Sequence, residues 1–299
     1  MAAADQSPRI VYVNGNFVPE QDAMISVFDR GFLFADGVYE VSSVLDGRLI
    51  DNGAHMRRLH RSLSELEMPA PARDEDIIAA QERLVAENNL HEGIVYLQVT
   101  RGPAERDFAY PAADETKPSL VMFTQAKSLI DNPAVRSGIK VISVPDIRWG
   151  RRDIKSVGLL APSMAKQAAV NAGKHDAWMV EDGAVTEGSS NNAYIVTQDG
   201  TIVTRHLGNE ILHGITRAAV LRLAQERQIR VEERPFTIAE AQSAREAFVT
   251  SASTFVCGVV EIDDQPIGDG QPGPITKALR DVYLEIARGA GHFDVDEAA

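Results

Sequence analysis

The stretch "DIRWGRRDIKSVGLL", residues 146–160, sets three arginines, Arg148, Arg151 and Arg152, just before a single lysine, Lys155, and then turns apolar. A strand-like run, "IKVISV" (residues 139–144), lies upstream. A lysine at an element boundary is ordinarily solvated. Held among positive charges and partly desolvated, the amine would instead give up its proton more readily and could attack a carbonyl. The question is whether the rest of the chain supplies something for such an amine to react with.

At 299 residues the chain suits one large domain or two ordinary ones. Hydrophobic and charged fractions of 44% and 24% are those of a globular protein. The formal net charge of −13 argues against nucleic acid as a partner, because phosphates would be repelled. Cys257 is the one cysteine, so no intramolecular disulfide forms, and its apolar setting reads as a small buried side chain. The seven histidines show no HExxH spacing, so no metal is expected. No run approaches the roughly 20 apolar residues that span a bilayer, and "MAAADQSPRIVYVNG" lacks a basic, apolar leader. No membrane partner and a cytoplasmic location are the expectations.

"IVYVNGNFVP" (residues 10–19) alternates around Asn-Gly, a hairpin signature, and "GVYEVSSVLDGRLI" repeats the pattern around Asp46-Gly47. Met56, Leu59, Leu63 and Leu66 recur at helical spacing from about Ala54. A second helix is expected over residues 74–88, with acidic residues in its first turn. Residues 94–102 and 119–126 read as strands, and the polar, proline-containing residues 127–138 as a linker. Beyond it a helix is expected around 163–172, then three short strands with Asp-Gly turns at 182–183 and 199–200, then a long helix over about 214–227. The pattern predicts an α+β protein: a small N-terminal α/β lobe (1–126), the linker, and a larger C-terminal lobe (139–299) carrying Lys155.

Three further places could carry chemistry. "VTEGSSNNAYIV" (residues 185–196) is either a surface turn or a carboxylate, Glu187, set beside a bound ring nitrogen with Ser189, Ser190, Asn191 and Asn192 around it. Gly214 directly precedes a helix, whose free amides at Ile215 and Thr216 would suit a phosphate. Arg58 sits beside the Leu59/Leu63 stripe and could reach a phosphate bidentately. In "FDRGFLFADGVYEV" (residues 28–41), core packing accounts for Phe32 and Phe34, but not for a strand beginning right after Asp36-Gly37.

Lysine, ring-facing carboxylate, phosphate-binding helix start and arginine are the parts pyridoxal 5′-phosphate requires. The sequence resembles the fold type IV, branched-chain/D-amino-acid aminotransferase-like enzymes that use this cofactor, and within them the bacterial D-amino-acid transaminases. "DRGFLFADGVYEV", "VTRG", "DIRWGRRDIKS", "VTEGSSNN", "GITR" and "EAFVTSAS" carry the resemblance in order over nearly the whole chain. It implies a two-lobed fold, a homodimer with its active site between the lobes, and ping-pong transfer of an amino group between a D-amino acid and a 2-oxo acid such as 2-oxoglutarate or pyruvate. Lys155 would bond covalently to the cofactor and move the substrate's α-proton. Glu187 would keep the pyridine nitrogen protonated, so that the ring acts as an electron sink. Arg58, Ile215 and Thr216 would hold the phosphate, and Leu212 would pack against the ring.

The chain departs from that family at two places. The transaminases trap the substrate carboxylate with a tyrosine and an Arg-x-His motif. Tyr39 and Arg106 match, with Arg106 expected from the other subunit of the dimer, but Phe108 stands at the histidine, so the trap loses a polar arm and gains an apolar wall. A family threonine that reaches the phosphate aligns with Ala252, next to Ser251 and Ser253. The Phe108 departure leaves an (R)-selective amine transaminase as the alternative, ahead of a branched-chain L-amino-acid transaminase, and the same scaffold also serves lyases of amino-chorismate. A non-catalytic cofactor-binding module is the alternative from another class.

Overall fold

Asn14 and Gly15 both have positive φ, 47° and 93°, the backbone that a two-residue hairpin turn needs. The hairpin they close, Ile10–Val13 with Asn16–Pro19, sits at one edge of a six-stranded antiparallel sheet. Its remaining strands run in the order Ser119–Ala126, Glu92–Thr100, Gly37–Leu45 and Arg48–Leu49. The computed structural model describes residues 8–112 and 114–289. Its chain divides into two units, and this sheet belongs to the first. The helices Asn52–Glu65 and Asp74–Glu87 pack on the sheet through Met56, Leu59, Leu63, Ile77 and Leu84, which are all buried.

The start of the Gly37–Leu45 strand is fixed by charge. Asp29 caps the five-residue helix Arg30–Phe34, and its other oxygen accepts from Thr100 at 2.9 Å and Ser119 at 2.7 Å. The helix stops where Ala35 turns left-handed, at φ 55°. Asp36 then accepts from Arg30 and Arg101, each at 2.7 Å, so a buried ion network sets the point where the strand begins. A Cβ on Gly37 would meet the Val99 carbonyl at 2.8 Å.

The second unit is built on a nine-stranded sheet. Antiparallel pairs join Asn192–Val196 to Ile202–Thr204 and to Glu246–Ser251, which pairs in turn with Phe255–Ile262. Ile139–Pro145 lies parallel to both Phe255–Ile262 and Asp176–Glu181, and Val231–Glu233 is parallel to Ile202–Thr204. Trp178, Ile195, Val203, Phe236 and Val249 form the centre of its core, with Cys257 buried among them and its thiol pushed up to about 11 by burial. The helices Leu160–Asn171, Ile215–Glu226 and Pro274–Arg288 cover this sheet.

Four features differ from the sequence reading. The helix expected around 163–172 starts at Leu160, because Pro162 falls in its first turn, where a missing N–H costs nothing. Four strands, not three, lie between residues 176 and 204. The expected linker groups with the second unit from Ser128 onward and holds a helix, Pro133–Ser137, capped by Asn132. Lys155, expected in the C-terminal lobe, groups with the first unit together with the rest of Lys155–Gly158.

Candidate active site

Lys155 is held in the first unit by its backbone. Its carbonyl accepts from Tyr39 N at 2.9 Å, its amide donates to Ser62 Oγ at 3.3 Å, and Val157 N donates to Gly37 O at 3.0 Å. This one-strand splice onto Gly37–Leu45 leaves the side chain half-buried, with Nζ 4.1 Å from the centre of the Tyr39 ring. Among the described residues, the amine has no carboxylate or carbonyl partner. The rings of Tyr39, Tyr96 and Phe123 stack in series.

Arg58 lies on the same unit, on the helix facing that strand. It is clamped by a residue that the sequence reading did not single out. Glu40 Oε1 accepts from Nε at 2.8 Å and Oε2 from Nη2 at 2.7 Å, while His55 Nδ1 meets Oε2 at 2.7 Å. Glu40 is 2% exposed. Burial raises its carboxyl, but Arg58 and His55 more than offset that and hold it at about 2. One side of the Arg58 fork is therefore taken by an internal carboxylate. The signal in the sequence was alternation: beside Tyr39 on a strand, Glu40 must face the opposite side.

Arg106 and Phe108 stand on a loop of the first unit. Phe108 is 80% exposed, and its ring lies 5.6 Å from that of Phe34.

In the second unit, Glu187 is 4% exposed and accepts from Arg148 Nη1, from Asn192 Nδ2 at 2.9 Å and from Leu212 N at 3.2 Å. Burial pushes its carboxyl above the usual range, against the pull of Arg148 and the Leu212 amide. Asp146 backs Arg148 with a second carboxylate, accepting from Nη2 at 2.6 Å and from Thr186 Oγ1 at 2.7 Å. The Arg148 backbone amide donates to Asp146 Oδ1 at 3.0 Å, a turn just past the strand that brings the two side chains together.

This arrangement corrects the reading of the arginine cluster. Arg148 pairs with Asp146 and Glu187, Arg151 with Asp153, and Arg152 with Glu181. Each is matched by acid, so the cluster is not a field of unpaired positive charge. The polar run after Glu187 is also divided. Ser189 and Asn191 bond Asp176, and only Asn192 reaches Glu187.

Asn192 also ties this carboxylate to the next helix. Its Nδ2 donates to Leu212 O at 3.0 Å, and its Oδ1 lies where a Cβ on Gly214 would stand, 2.1 Å away. Gly214 caps the helix Ile215–Glu226 without a side-chain bond, and the first-turn amides of Ile215 and Thr216 have no intrahelical acceptor. Thr250 pairs with Asn192 across the sheet, which brings the Ser251–Ala252 turn beside it. Ser251 Oγ meets Thr254 Oγ1 at 2.8 Å, while Ala252 brings no hydroxyl.

The model of the amino-transferase class IV family matches residues 37–262. The chain belongs to this family. D-alanine aminotransferases of Staphylococcus aureus (strain MSSA476) and Bacillus licheniformis are each 37% identical to it. The first match spans 91% of this chain and 96% of the relative, the second 90% and 94%. The Escherichia coli branched-chain amino acid aminotransferase shares the fold, with a TM-score of 0.89 at 21% identity over 97% of this chain and 98% of that one. A T.th. branched-chain amino acid aminotransferase, complexed with N-(5′-phosphopyridoxyl)-L-glutamate, superposes with a TM-score of 0.85 at 26% identity, over 94% of each chain. This class IV aminotransferase thus has the two-lobed fold type IV architecture. Every candidate site residue read from the sequence, from Tyr39 to Ala252, lies inside the matched span. Among the described residues no helix is long and apolar enough to cross a membrane, and no three His, Cys, Asp or Glu cluster as metal ligands.

Proposed function

We propose that this class IV aminotransferase uses pyridoxal 5′-phosphate to transfer an amino group between a D-amino acid and a 2-oxo acid. The observation that carries the reading is the half-buried Lys155 amine, fixed at both sides by backbone bonds and left without a counter-ion among the described residues. The named activity of the D-alanine aminotransferases supports the D-amino acid as donor.

The residues present suit the cofactor. A buried carboxylate held by three donor groups, Glu187, would accept a hydrogen bond from the protonated ring nitrogen and keep it charged. The first-turn amides of Ile215 and Thr216, the Ser251 hydroxyl and Arg58 would hold the phosphate. The absence of a Cβ on Gly214 leaves the Asn192 amide free to serve both Glu187 and Leu212. Leu212 would pack on the ring. Bound there, the cofactor supplies an aldehyde for amino-group exchange and a ring that draws electrons from the substrate's α-carbon. Lys155 Nζ would take the α-proton and return it. Tyr39 and Arg106 would hold the substrate carboxylate, with Phe108 beside them. Transfer in two halves gives ping-pong kinetics. On this reading the assembly is a homodimer, as the family resemblance implies, and the location is cytoplasmic.

An (R)-selective amine transaminase is the second reading, favoured by the apolar, exposed Phe108. One experiment separates them: half-reactions of the yellow holoenzyme with D-alanine, L-leucine and (R)-1-phenylethylamine. Loss of the yellow absorbance with D-alanine first is the expected result. Loss only with L-leucine or with (R)-1-phenylethylamine overturns it.

A further inference from the structure

Arg106 has an unusual set of neighbours for an exposed arginine. Among the described residues it has no hydrogen bond and no ion pair. Its guanidinium lies instead 5.3 Å from the centre of the Phe34 ring and 5.8 Å from that of Phe108, two rings that themselves pack at 5.6 Å.

The loop beneath it is built with care. Arg30, 2% exposed and paired with Asp36, donates to the carbonyls of Asp107 at 2.6 Å and Ala109 at 3.2 Å. These are the residues on either side of Phe108. The Arg30 guanidinium also lies 4.6 Å from the centre of the Phe34 ring. One ring thus touches the cation that pins the loop, the cation that the loop displays, and the phenylalanine between.

We propose that Phe34 and Phe108 form an aromatic platform that pre-sets the Arg106 guanidinium to receive the substrate carboxylate. This rests on the functional reading above and changes the role of Phe108 within it. The ring is not simply an apolar wall in place of a hydrogen-bonding arm. It limits the rotamers of a long side chain whose freedom opposes binding, and it does so without taking up any of the guanidinium's five donors. A histidine would add a bond to the substrate, whereas the platform lowers the cost of forming the arginine's own bonds. Phe34 is then a positioning residue for carboxylate specificity.

The test uses the holoenzyme with Phe34→Leu, Phe108→Leu, Arg106→Met and the Phe34→Leu/Arg106→Met double variant. Steady-state kinetics with D-alanine are paired with binding of propionate, followed through the cofactor's absorbance. A cation–π contact at an exposed site corresponds to about two- to fivefold in affinity. Phe34→Leu should therefore raise KM for D-alanine and Kd for propionate by about that factor, with kcat little changed. Phe108→Leu should follow it, and the double variant should match Arg106→Met alone. An unchanged KM and Kd in Phe34→Leu overturns the proposal, as does a full additional loss in the Arg106→Met background, which is the mark of a general structural role. Wild-type enzyme that transfers nothing from D-alanine would instead defeat the functional reading.

Discussion

Asn192 holds Glu187 through a 2.9 Å bond from Nδ2 to Oε2, and the same nitrogen donates to Leu212 O at 3.0 Å. One side chain therefore links the carboxylate proposed to face the ring to the segment that leads into the helix proposed to hold the phosphate. Asn192→Leu removes a bond to a buried charge, worth about 1.5–3 kcal/mol. Cofactor affinity should fall by about tenfold to a hundredfold, measured by equilibrium titration of the apo form. Unchanged affinity would mean that the link does not matter to the cofactor.

Lys155→Ala should abolish multiple turnover while leaving the protein able to bind the cofactor non-covalently, since the groups proposed to hold ring and phosphate remain. The checks are progress curves at saturating D-alanine and spectral titration with the cofactor. Sustained turnover by the purified variant would remove Lys155 from the chemistry.

Glu187→Gln replaces an anion held by Arg148 with a neutral amide. The ring nitrogen then loses the partner proposed to keep it protonated, and with it much of the stabilisation of charge at the α-carbon. A fall in kcat of about tenfold to a hundredfold is expected, from the loss of one charge-assisted bond in a buried setting. Near-normal rates would mean that Glu187 serves only its network with Arg148 and Asn192 and does not face the ring.

How much of this was legible in the sequence depended on the range of the interaction. Hairpins closed by Asn14-Gly15 and Asp182-Gly183 follow from local backbone preference, and both turns have the positive φ that their residues favour. The motif around Glu187 was readable as a motif. Its partners were not, because Arg148 and Leu212 lie 39 and 25 residues away in the chain. The arginine cluster misled for the same reason. Composition shows the charge of Arg152, but not that Glu181, on a strand 29 residues further along, pairs with it at 2.7 Å. Tyr39 could be read from the resemblance, whereas Glu40 required knowing which helix covers the strand's other face.

Gly214→Ala tests the helix start directly. With φ at −70° alanine suits the backbone there, so the only obstacle is space. Its Cβ would stand 2.1 Å from Asn192 Oδ1 and 3.2 Å from Arg217 Cβ. The Asn192 amide must swing away, giving up its bonds to Glu187 and Leu212. Loss of cofactor affinity similar to that of Asn192→Leu is expected, with no further loss when the two changes are combined. Full additivity in that double-mutant cycle would place the effect elsewhere.

The buried Glu40–Arg58 pair predicts a specific acid sensitivity. Glu40 titrates at about 2 in the folded protein against an ordinary value of 4.5. The unfolded chain therefore binds this proton first as pH falls. The contribution is fully present above pH 4.5 and is lost as pH drops toward 2, for a total of about 3 kcal/mol. Glu40→Gln takes away the buried carboxylate paired with Arg58, which should cost about 3–5 kcal/mol at neutral pH. Below pH 4.5 the wild type progressively forfeits the same interaction, so the gap in Tm between the two proteins should be wide at pH 7 and narrow at pH 3. Other carboxylates titrate in both proteins, and it is the difference that isolates Glu40. Thermal unfolding across that range checks it, and a gap of the same size at both ends would show that Glu40 is not held as the anion. If the gap closes as expected, cofactor titration at pH 7 then asks whether the phosphate hold proposed for Arg58 survives without its clamp. A weaker hold on pyridoxal 5′-phosphate, with pyridoxal unaffected, is the expected result.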